Sequence, residues 1–263
     1  MKLRSVLARS AVLLSLAGAP LFSVAVETAP AAAPVQAKEP MLGLPETDER
    51  LPGKGPIRRA DWFRKIWNER RSSWAKRVQQ DQGALVFLGD SITQGWGDDL
   101  GGAFPGVKVA NRGIGGDTTR GILVRLKEDV IALHPKGVVL LAGTNDLEEG
   151  AEAEVIANNI KLIVKALEKS DRKMPIIVCQ VFPSSPEKYR APYKIKDLNT
   201  ALAQALQKNP RVTLVQTWSV FAGPDGNATA DEFPDLLHPN KIGYTKWAAV
   251  LHPVLAQQGL LKK

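Results

Sequence analysis

The sequence predicts a three-layer α/β domain on a five-stranded, mainly parallel sheet. From Ala84 onward, short apolar runs alternate with longer stretches whose apolar residues recur at helical spacing. The first of them, Ala84 to Leu88, is apolar throughout, as a strand covered on both faces is, where a half-exposed strand would alternate. The connections between them are rich in Gly, Pro, Asn, Asp and Ser.

Each element has its own signal. Ala84 to Leu88 is a buried strand cut off by Gly89-Asp90-Ser91, and Val107 to Ala110 is a short second strand. Thr118 to Leu133 places Ile122, Leu123, Leu126, Val130 and Ile131 in helical register before a third strand, Lys136 to Ala142. Glu152 to Lys169 is a helix with acids in its first turn and Lys165 and Lys169 towards its end, the order its dipole favours. Strands at Ile176 to Val181 and Val212 to Val215 bracket a helix from Tyr193 to Lys208, and Asn240 to Gln257 closes the domain as a helix. Ahead of the sheet, Phe63, Ile66, Trp67, Trp74 and Val78 give another helix an inward face.

The amino terminus has a different character. Lys2, Arg4 and Arg9 precede an apolar run from Ala11 to Phe22 and a small-x-small site at Ser23-Val24-Ala25. That order is a secretory signal peptide, too short to span a bilayer comfortably. It predicts cleavage near Ala25, export to the periplasm or beyond, and no stable membrane insertion afterwards. Residues 26–55 are rich in Ala and Pro and read as an extended linker, which assigns residues 56–263 to one folded domain. The formal charge of +8 falls to +5 when the three leader cations depart. Basic pairs at Arg58-Arg59, Arg64-Lys65, Arg70-Arg71 and Lys76-Arg77 recur every six residues, a step of about 240° that spreads them around a helix. They predict a solvated helix and no nucleic-acid stripe. The lone cysteine, Cys179, excludes an intramolecular disulfide and reads as a buried, inert thiol.

Candidate chemistry gathers where strands end. Ser91 lies just past a strand's carboxyl end, the edge that carries the ligand crevice of open parallel sheets, although Gly-Asp-Ser alone also reads as a turn and helix cap. A nucleophilic serine needs a base and a group to orient it. His134 precedes a strand and belongs at the opposite edge, and His252 lies within the last helix. His238 follows the last long connection, with Asp235 three residues before it. No further His or Cys stands at that edge to complete a zinc site, and neither metal nor cofactor is expected. The run Gly113-Ile114-Gly115-Gly116-Asp117-Thr118 lets backbone amides approach a ligand; its spacing fits neither a dinucleotide fingerprint nor a Walker loop. After the third strand, Gly143-Thr144-Asn145-Asp146 offers the Asn145 amide, or a simple turn. Two long connections, Phe182 to Pro192 and Gln216 to Leu237, overhang the same edge. Trp96, Trp218, Phe221 and Phe233 lie on connections at this edge, where they either stack on sugar rings or pack inward.

Four separated blocks, Gly89-Asp90-Ser91, the Gly116 loop, Gly143-Thr144-Asn145-Asp146 and Asp235-x-x-His238-Pro239, together resemble the GDSL or SGNH hydrolases. Within that group, Asn111 to Arg120 looks most like the catalytic subunits of platelet-activating-factor acetylhydrolases and their bacterial relatives. The resemblance implies a flavodoxin-like sheet and ester hydrolysis through an acyl-serine. Ser91 is then the nucleophile and His238 the base and acid, oriented by Asp235. The Ser91 amide, the Gly116 amide and the Asn145 side chain form the oxyanion hole, with Asp90 and Asp117 alongside. The expected protein is an exported serine esterase acting on short-chain, chiefly acetyl, esters of carbohydrates. The rivals are a lysophospholipase, thioesterase or arylesterase of the same fold, and a non-catalytic carbohydrate-binding protein. Its partner is a small ester or acetylated glycan, and no nucleic acid.

Overall fold

The apolar run that opens the domain becomes β1 (Leu85–Gly89), a fully buried strand flanked on both sides by parallel neighbours. In the computed structural model, which describes residues 42–261, five strands pair in parallel in the order β2-β1-β3-β4-β5. The others are β2 (Val109–Gly113), β3 (Gly137–Leu141), β4 (Ile176–Cys179) and β5 (Val212–Val215). Gly89 stands opposite both Gly113 and Leu141, so the first three strands deliver their following loops at one level. The strand order reverses direction at β1, and the crevice of such a sheet opens at that switch point.

Alternation along the strands divides the core into two layers. Val86, Leu88, Val138, Leu140, Ile176 and Val178 face α3 (Thr119–Asp129), α5 (Ala153–Ser170) and α6 (Pro192–Leu206). Leu85, Phe87, Val139, Leu141 and Ile177 face Trp247, Leu251 and Leu255 of α8 (Lys241–Gln257). Cys179 is buried in that second layer, and burial pushes its thiol up to about 12, which suits an inert side chain. His134 lies just before β3, at the edge away from Ser91, and His252 of α8 stacks on Phe104.

Three sequence expectations need correction. The second strand covers residues 109–113, not 107–110, because its working half is polar. Asn111 is buried and donates to the Thr93 and Gly97 carbonyls, while Arg112 is buried against Asp81 at 2.6 Å. An apolar-run criterion passes over such a strand. Second, α1 (Asp61–Ala75) is not solvated all round. Arg71 is buried, donates to both Asp129 oxygens at 2.9–3.0 Å and lies over the Trp67 ring; Arg70 donates to the Gly113 carbonyl. Third, the domain begins before residue 56. Lys54 exchanges two backbone hydrogen bonds with the Asn159 side chain, the Trp67 indole donates to the Leu42 carbonyl, and Leu44 is buried. The described part of the linker is therefore packed, held by polar contacts that leave no apolar period in the sequence. The leader expected at residues 1–25 lies outside the described residues.

Candidate active site

Ser91 is the first residue of α2 (Ser91–Gly95), which starts directly after β1. Its backbone amide therefore has no acceptor within the helix and points out of the helix N-terminus. Asp90 caps that helix by accepting from the Ile92 amide at 2.9 Å, which fixes the turn that presents the hydroxyl. Ser91 Oγ and His238 Nε2 are 2.8 Å apart, and His238 Nδ1 and Asp235 Oδ2 are 2.7 Å apart. The other Asp235 oxygen accepts from the His238 and Leu237 amides at 2.7 and 3.1 Å. This tight turn needs a left-handed residue, supplied by Leu236 at φ 61°. The Ser184 hydroxyl holds the turn by donating to the Leu236 carbonyl at 2.8 Å. Partial burial pushes the Asp235 carboxyl upwards, but the His238 amide and ring and the Leu237 amide outweigh it and keep the group below the ordinary carboxylate value. An ionised Asp235 fixes the imidazole tautomer with its free nitrogen toward Ser91.

The Gly-rich loop closes on the serine from the β2 side. Gly115 donates to Gln94 Oε1 at 2.6 Å and lies beside the Ser91 Cβ. Gly116 adopts φ +83°, and a Cβ there would stand 2.5 Å from the Trp62 ring, so the position admits no side chain. From β3, α4 (Thr144–Glu148) carries Asn145, whose Nδ2 donates to the Asp117 carbonyl at 2.9 Å. That bond uses one amide proton and leaves the second for a ligand. Arg190, in the loop after β4, donates to Asn145 Oδ1 at 3.2 Å and to Thr144 and Glu148, which fixes which end of the amide is the donor. Sequence reading missed Arg190 because a lone arginine in a Pro-rich loop carries no spacing signal; its place on the catalytic edge was the only clue.

Under the site lie three buried carboxyls. Burial pushes Asp90 to about 6, Asp117 to about 7 and Asp146 to about 6, each against favourable partners. Asp117 pairs with the equally buried Arg125 at 2.7 Å, and Asp146 accepts from the Thr119 amide and hydroxyl. Asp90→Asn tests this burial, because asparagine is also a good helix cap. In the folded protein Asp90 keeps its proton up to about pH 6, whereas the unfolded chain releases it near pH 4. Asp90 therefore takes stability from the wild type as pH rises through that window, a loss added to that from Asp117 and Asp146 and absent from the variant. From pH 4 to pH 7 the difference in unfolding free energy from urea titrations should move in the variant's favour by on the order of 3 kcal/mol. A difference that stays constant with pH would mean that Asp90 is ionised throughout.

The aromatic residues at this edge follow the packing alternative. Trp96, Phe221 and Phe233 are buried, Trp96 stacked on Trp247 at 4.6 Å, and Trp218 packs under Lys196. None offers an open platform. The connection from Gln216 also contains a short helix, α7 (Thr217–Phe221), which has too few residues for a period to show.

The profile of the GDSL-like lipase/acylhydrolase family matches residues 87–246, from β1 into α8. The chain belongs to this family. It is 29% identical over 198 residues to the human platelet-activating factor acetylhydrolase IB subunit alpha2, covering 73% of this chain and 84% of that protein. Among solved structures, a GDSL-like lipase from Bacteroides thetaiotaomicron is 26% identical with a TM-score of 0.62, covering 74% of this chain and 97% of its own. The acetylxylan esterase Axe2 from Geobacillus stearothermophilus shares the fold at 20% identity and a TM-score of 0.54, covering 69% and 97%. This GDSL-like protein is an ester-bond hydrolase.

Proposed function

We propose that this GDSL-like hydrolase is an exported serine esterase that removes short acyl groups, acetyl above all, from carbohydrate esters. The observation that carries the mechanism is the unbroken Asp235–His238–Ser91 chain at 2.7 and 2.8 Å on the loop edge of the sheet. His238 takes the Ser91 proton as Oγ attacks the ester carbonyl. The Ser91 and Gly116 amides and the Asn145 side chain receive the negative oxygen of the tetrahedral intermediate. His238 then returns the proton to the leaving alcohol, and water repeats the cycle on the acyl-serine.

Two features support a short acyl group on a polar alcohol. The cleft beside Gly116 is lined by two arginines, two glutamates, Trp62 and Tyr189, with Ile57 and Ala60 as its only aliphatic residues, a surface that suits a polar alcohol. The human relative is by name an acetylhydrolase. Export rests on the basic start, apolar run and Ser23-Val24-Ala25 site; no helix among the described residues is long and apolar enough to cross a membrane.

A series of 4-nitrophenyl esters from acetate to decanoate tests the reading. The expected result is a kcat/KM for octanoate about tenfold or more below that for acetate, with Ser91 labelled by a fluorophosphonate. A preference for octanoate would redirect the assignment to lipids, and an unlabelled Ser91 would leave a binding protein.

A further inference from the structure

The cleft beside Gly116, about 560 Å³ in volume, takes no part in the proton relay. One wall comes from Arg58 and Trp62, which precede the segment matched by the family profile. The other comes from Tyr189, on the loop that also carries Arg190. Trp62 is 50% exposed and Tyr189 73%, yet the ring of the first and the backbone of the second are held in place. The Trp62 ring meets Phe63 edge-on at 5.8 Å, lies under the Arg58 guanidinium at 5.7 Å, and crowds the Gly116 backbone. Tyr189 holds φ 60°, uncommon for an aromatic residue. Its backbone is tied by its own amide to Pro186 and by the Arg190 amide to Ser185. Buried Arg190 anchors the next residue to Thr144. Between the rings, Arg58 is paired with both Glu148 and Glu149. Single exposed aromatics are ordinary; two lining one charged cleft beside an oxyanion loop are a different arrangement.

We propose that this cleft is the subsite for the alcohol half of the ester, and that it takes a neutral pyranose ring of an oligosaccharide. The inference rests on the carbohydrate-ester reading above. A pyranose presents apolar C–H faces, which suit Trp62 and Tyr189, and a rim of hydroxyls, which can accept from the Arg58 guanidinium and donate to the Glu148 and Glu149 carboxylates. A phosphorylated headgroup would instead meet two carboxylates, while both arginines of the cleft are already paired, Arg58 with Glu148 and Glu149 and Arg59 with Asp48. The volume lies within the range of about 300–1,000 Å³ usual for small-ligand sites.

Two measurements test the cleft and the function separately. The first is the ratio of kcat/KM on partially acetylated xylo-, manno- and gluco-oligosaccharides to that on 4-nitrophenyl acetate. The second is calorimetric binding of the same oligosaccharides, unacetylated, to the full chain carrying Ser91→Ala. Trp62→Ala and Tyr189→Asn, the latter chosen because asparagine tolerates the left-handed backbone, should each lower the ratio about tenfold through KM. Adding Trp62→Ala to the Ser91→Ala chain should weaken binding by a similar factor. The subsite is overturned if wild type deacetylates the oligosaccharides and both variants keep its ratio, or if both substrates lose activity equally. Binding that depends on Trp62 without any oligosaccharide deacetylation would uphold the cleft and overturn the carbohydrate-esterase reading. Absence of both would overturn the two together.

Discussion

Replacing Ser91 with alanine is expected to lower kcat on 4-nitrophenyl acetate by on the order of a millionfold, and His238→Ala by about the same. The reason is that the two groups act as one unit across a 2.8 Å contact. Without the hydroxyl there is nothing for the imidazole to deprotonate, and without the imidazole the hydroxyl is a poor nucleophile at neutral pH. The double variant should therefore be no worse than either single one. Asp235→Asn should cost less, on the order of ten-thousandfold, because the base remains but its tautomer is wrong. Steady-state rates of the four purified proteins decide the matter. Additive losses in the double variant would mean that Ser91 and His238 work separately. Folding is not at issue for these changes, since Asp235 and His238 are both more than two-fifths exposed and Ser91 does not belong to the core layers.

The second large effect concerns the oxyanion hole. Asn145→Ala should reduce kcat by about a hundred- to a thousandfold, one donor's share of the stabilisation, with KM nearly unchanged. A loss below about tenfold would remove Asn145 from the hole. Its neighbour Arg190 supplies a finer check. By accepting from Arg190 and donating to the Asp117 carbonyl, the amide is locked in one orientation. Arg190→Gln should then lower kcat about ten- to a hundredfold by misplacing that donor. In an Asn145→Ala background the same substitution should have almost no further effect on kcat, whereas a purely structural role for Arg190 would reduce activity in both backgrounds alike.

Much of this molecule was legible from local pattern. Buried parallel strands read as uninterrupted apolar runs, so sequence places β1, β3 and β4 within two residues of their observed ends, and the short β-branched run of β5, a partly buried edge strand, is also legible. β2 was misplaced because Asn111 and Arg112 are buried through hydrogen bonds and ion pairs, which have no period. Ser91, Asn145, Asp235 and His238 were singled out because each follows a strand, and a parallel sheet gathers such positions at one edge. The geometry joins the serine, histidine and aspartate directly and places Asn145 against the Asp117 carbonyl.

Sequence by itself therefore determined the fold class, the edge where chemistry collects and the residue types that stand there, since these follow from short-range patterning and strand order. Only the tertiary structure decided that residues 42–55 pack on the domain, that Arg71 is buried, and that Arg190 steers Asn145. It also decided that Trp96, Phe221 and Phe233 are core while Trp62 and Tyr189 face the cleft. The physical reason is common to all of these: a hydrogen bond or a ring contact between residues far apart in the chain depends on where the backbone places both partners, and neither partner's neighbours in sequence encode it.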